Sequence, residues 1–155
     1  MVRGRPLRQI YGICAGIATF LVLGIAVVFA TVSLFGDRAF EQGLYELSPA
    51  AANVLLFGNF LACLAWGYVH VRIGGARSIG ALVCIVVLLM LFSMYSVILK
   101  PVTLQQRDGP VDWLNLAKYY TPSRMTDLKG LMVLVLGLGF GARLVKPEQL
   151  ELEKV

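Results

Sequence analysis

One histidine, three cysteines and nine carboxylates occur in 155 residues, and their spacing decides what chemistry they can support. His70 stands alone, two residues before Arg72 at the end of an apolar block. Bis-histidine haem ligation needs a second His, and a zinc site needs further His, Cys or carboxylate ligands. A headgroup or backbone contact is therefore its expected role, with a cofactor shared with another subunit as the sharper alternative. Cys14, Cys63 and Cys84 each fall inside an apolar block, with no CxxC spacing, and read as small buried hydrophobes. No Walker loop, GxSxG or HExxH is present. A membrane enzyme could draw on residues of the link after the third span, such as Asp108, Asp112 or Arg124, and solvation accounts for them more simply. No enzymatic activity, metal or cofactor is expected; bound lipid suits the composition.

Two amides have sharper expectations. Asn53 and Asn59 sit in the second apolar block, Asn59 near its middle. An amide in hydrocarbon leaves its donors unmet, so Asn59 is expected to hydrogen-bond another helix or face a polar cavity. Contact with a transported solute or a lipid is the alternative.

The elements that hold these residues are apolar helices. The chain is 58% hydrophobic and 15% charged, against roughly 25% charged residues in soluble domains. From Gln9 to Gly36 there are 28 residues without a charge. A helix of about 20 apolar residues crosses a bilayer. Four spans are expected, over residues 10–35, 49–71, 78–99 and 125–145, in a single membrane domain covering 1–155. The basic residues before the first span resemble a signal peptide, but its apolar run is too long for an h-region, so an uncleaved anchor is the reading. Ser48 can cap the second span and Pro49 suits its first turn. Lys100-Pro101 stops the third. The fourth is the weakest: 13 uncharged residues separate Lys129 from Arg143, and both must snorkel. The fold class is thus an all-α integral membrane protein, a four-transmembrane-helix bundle with a short interfacial helix before the last span. That helix covers 111–120. Trp113, Leu116 and Tyr120 form one stripe of it, suited to rest on the membrane surface or to dock a partner.

The interiors of all four spans lack Asp, Glu, Lys and Arg. Ionisable groups inside a membrane mark proton and ion pathways, so a proton-coupled pump or exporter and a channel with a charged filter are excluded. Small residues four apart are instead frequent: Gly12 and Gly16, Gly58 and Ala62, Gly137 and Gly141. Such pairs let helix backbones approach closely, within one chain or between subunits.

The N-terminal segment, the Arg72–Arg77 link and the Arg143/Lys146 flank together carry seven basic residues; the link after the first span carries one, and the link after the third carries five. The bias puts both termini in the cytoplasm. A bacterial inner (plasma) membrane is the default location, and a mitochondrial inner membrane fits the same pattern. The expected partners are other integral membrane subunits and lipids. The basic residues flank apolar blocks rather than line one face, which is no nucleic-acid footprint. The expected function is a non-catalytic accessory subunit of a larger membrane complex, acting by helix–helix packing. The alternative is a small lipid-handling or solute-transport protein with a polar contact at Asn59.

Overall fold

The computed structural model describes residues 5–42, 44–75, 78–99, 106, 109 and 124–145. Among them the chain is all-helical, with four α-helices and no strand. Helix α1 spans Arg5–Phe35 and runs into a short 3-10 turn, Gly36–Ala39; α2 spans Pro49–Gly74, α3 Ser78–Leu99 and α4 Arg124–Arg143. Residues 111–120, with Trp113, Leu116 and Tyr120, lie outside the described residues.

Among the described residues, two segments are long and apolar enough to cross a membrane. They are Leu7–Ala39, with a mean hydropathy of 2.6, and Pro49–Gly74, with 1.7. At 1.5 Å per residue the 31 residues of α1 extend about 46 Å, well beyond a hydrocarbon core of about 30 Å. No charge interrupts α1 between Arg8 and Phe35, and its two threonine hydroxyls bond to its own backbone. Thr19 Oγ1 donates to the Ala15 carbonyl and Thr31 Oγ1 to that of Val27, both at 2.8 Å. Helix α2 starts where Ser48 Oγ accepts from the Ala51 amide at 3.4 Å, with Pro49 in the first turn, where no amide is required. It stops at Gly75, whose φ of 77° lies where side chains are disfavoured. The Gly75 amide donates to the Val71 carbonyl at 2.9 Å, closing the last turn.

The packing is centred on α2 rather than on a four-way core. Helices α1 and α4 both lie along α2, while α3 leaves the turn at Ser78 and leans more on α4 than on α2. Gly12 of α1 meets Gly74, and Val27 of α1 meets Gly58, so α1 runs antiparallel to α2. Gly137 of α4 meets Phe60 and Cys63, and Gly141 meets Leu64 and Tyr68, so α4 runs parallel to α2. The buried apolar cluster is made by Cys63, Trp66 and Val71 of α2, Leu82 of α3, Leu138 of α4 and Val145 just beyond it. A smaller cluster, Ala39, Phe40 and Ala51, seals the opposite end against Phe35 and Leu47. There the chain turns back on itself: Phe40 bridges Leu47, and Leu44 bridges Gln106, which brings the link after α3 to the same end as the link after α1.

The two ends differ in charge. Arg8, Arg72 and Arg143 stand at the end where α1 begins and α2 and α4 finish. Asp37, Glu41, Glu46 and Asp127 stand at the other, with Arg38, Arg124 and Lys129. Arg72 and Arg143 occupy last turns, and Asp127 a first turn, each favourable to the helix dipole.

Candidate functional site at the seams of α2

The small residues singled out in the sequence fall on the two sides of α2. On the α1 side, a Cβ on Gly12 would stand 2.8 Å from the Gly74 Cα and from the His70 carbonyl oxygen. A Cβ on Gly16 would overlap the Trp66 indole, and one on Gly58 would overlap the Val27 side chain. On the α4 side, a Cβ on Gly137 would lie 2.6 Å from Cys63 Cβ and 2.9 Å from the Phe60 carbonyl oxygen. One on Gly141 would collide with the Leu64 carbonyl. Ala62 is 1% exposed. These residues are engaged by the chain's own helices, which leaves them no room for an outside partner in this arrangement.

Two further glycines belong to the same seams. Gly67 lies against the Leu138 carbonyl and, at 3.1 Å from its would-be Cβ, the Ala142 amide. Its signal in the sequence is the small pair it makes with Cys63, four residues earlier. Gly74 looks like part of a linker but is the last residue of α2, and a Cβ there would stand 2.6 Å from Ser78 Cβ.

The arginine end carries the polar contacts. Arg8 Nε donates to the Ile73 carbonyl at 2.6 Å, tying the start of α1 to a carbonyl in the last turn of α2. His70 is fully buried, with the start of α3 folded over it. Its Nε2 lies 3.0 Å from the Ser78 carbonyl oxygen, so the backbone contact expected of it is made inside the protein. Ser78 Oγ donates to the Gly75 carbonyl at 2.6 Å, fixing the turn between α2 and α3.

The two amides behave differently. Asn53 is exposed, near the start of α2. Asn59 is half-buried and lines a groove of about 480 Å³ whose other walls come from α1: Phe20, Leu21, Gly24, Ile25, Val28 and Phe29. The interhelical hydrogen bond expected of Asn59 does not form among the described residues, because the nearest part of α1 presents only hydrocarbon and a bare glycine.

No group of three or more His, Cys, Asp or Glu gathers among the described residues. Cys14, Cys63 and Cys84 are free thiols, and only Cys63 is buried. Among the described residues, the seams bring backbones into close approach. Comparison with protein-family models, curated proteins and solved structures finds no match to this chain.

Proposed function

We propose that this chain is a four-span membrane protein acting as a non-catalytic accessory subunit of a larger membrane complex, with both termini on the cytoplasmic side of an inner membrane. The alternation of helix directions supports four crossings: α1 is antiparallel and α4 parallel to α2, and both long links meet at one end. The charge asymmetry supports the orientation, since the arginine end would then face the cytoplasm.

The observation that carries the subunit reading is the state of α1. Only 6% of its apolar window is buried within the chain. Val22, Ile25, Phe29 and Leu34 are all more than half exposed, as are Leu88, Leu91 and Phe92 on α3. The glycine seams are occupied internally, so partner helices would meet these two faces. Gentle detergent extraction, a native gel and mass spectrometry test the reading. Co-migration with defined membrane subunits is expected; migration alone, or only as a self-oligomer, refutes it.

A second reading, lipid handling or solute transport, is favoured by the groove beside Asn59. Asn59→Leu should then abolish transfer while leaving the fold intact, and unchanged transfer in a folded variant would count against it.

A further inference from the structure

The seam between α1 and α2 encloses two polar atoms without a hydrogen-bond partner: the indole Nε1 of Trp66 and Nδ1 of His70. Trp66 is 5% exposed and His70 is 0% exposed. They stand four residues apart on α2, so their side chains are neighbours on one face of the helix. Both border the same bare backbone. A Cβ on Gly16 would stand 2.5 Å from the indole nitrogen and 3.3 Å from His70 Cβ. Phe20 closes the same region, its ring centroid 5.3 Å from that of Trp66.

The partner of Nε2 fixes the chemistry of the opposite nitrogen. The Ser78 carbonyl can only accept, so Nε2 carries the proton and donates to it. In the neutral ring Nδ1 is then an acceptor. The Trp66 indole can only donate. The two unpaired atoms are therefore one donor and one acceptor.

Few groups satisfy both. A carbonyl or a phosphate oxygen accepts from Trp66 but leaves Nδ1 bare. An ammonium does the reverse, and a metal ion at Nδ1 would face the indole N–H. A hydroxyl accepts from one and donates to the other. We propose that Trp66 and His70 form a binding site for a single hydroxyl group, held between the indole N–H and His70 Nδ1. Water is the smallest source; the hydroxyl of an amphiphile entering from the bilayer is the other. The site is independent of whether the chain has partner subunits.

The sequence suits a spectroscopic test, with one histidine and two tryptophans. The full chain, labelled with ¹⁵N in His and Trp, is placed in nanodiscs of perdeuterated phosphatidylcholine, a lipid with no hydroxyl. Trp113→Phe assigns the two indoles. The proposal expects a proton on Nε2, none on Nδ1, an Nδ1 resonance displaced as in a hydrogen-bonded acceptor, and a cross-peak between the Trp66 indole proton and a hydroxyl proton. A cross-peak in this lipid identifies water. A cross-peak that appears only on adding diacylglycerol, with further peaks to its glycerol protons, identifies the amphiphile. Trp66→Phe keeps the ring and removes the donor, and should shift Nδ1 toward the free-acceptor position. A proton on Nδ1, or an indole proton with neither cross-peak, overturns the proposal, and both are read on the unmutated chain.

Discussion

The two seams of α2 are made of different materials. On the α4 side, Gly67, Gly137 and Gly141 bring backbone against backbone, with Leu138 and Cys63 filling the remainder. The α1 side is mixed: Gly12 lies on the backbone of Gly74 and the His70 carbonyl, but Gly16 and Gly58 meet the Trp66 and Val27 side chains, and Arg8 Nε donates to the Ile73 carbonyl. A seam of backbones has nothing that can move aside. A seam of side chains can yield by rotation, and it carries hydrogen bonds whose loss is separately measurable.

Substitution at the glycines breaks this comparison most directly, with thermal unfolding of the detergent-solubilised protein, followed by tryptophan fluorescence, as the measurement. Gly141→Leu should have the largest effect, about 3 kcal/mol or more of destabilisation, because the Leu64 carbonyl in its path belongs to a helix and cannot rotate away. Gly16→Ala should cost less, about 1–2 kcal/mol, since the obstacle is the Trp66 side chain. Should Gly16→Ala prove the worse of the two, the contrast between rigid and yielding seams is wrong. Ser78→Ala removes the hydroxyl bond to the Gly75 carbonyl and should cost about 1 kcal/mol. Gly139→Ala is the control. Gly139 lies between Gly137 and Gly141, but nothing stands within 4 Å of its would-be Cβ, and no loss of stability is expected.

Much of the helical scaffold could be read from the residues. Ser48-Pro49 marks the start of α2 by side-chain capping, a local effect, whereas its end lies three residues beyond the expected Val71, at Gly74. The glycine pairs announce that a backbone comes near, yet a small residue carries no information about which backbone. Nothing in Gly137 or Gly141 says that α4 will lie parallel to α2, or that α2 will serve both neighbours. Gly67 carries only a faint signal, because its small companion four residues back is a cysteine. His70 looked interfacial from its neighbour Arg72; its burial is a tertiary effect of Ser78 folding over it. Asn59 was expected to find a partner across the seam, and the pattern of α1 could not reveal that Gly24 and hydrocarbon would face it.

The direction of α4 bears on how the protein is made. α4 is the last of the described helices and the least apolar of them, and its main contacts are with α2, completed long before it. On the four-span reading, a helix so weakly held by lipid enters the bilayer because a prepared surface awaits it there. The flank of α2 around Gly67 must stay vacant while α3 and the following link are synthesised. Any side chain placed on that flank would then act during biogenesis rather than in the finished protein. In a Gly67→Leu chain the C-terminal end should become accessible to membrane-impermeant cysteine labelling from the opposite side.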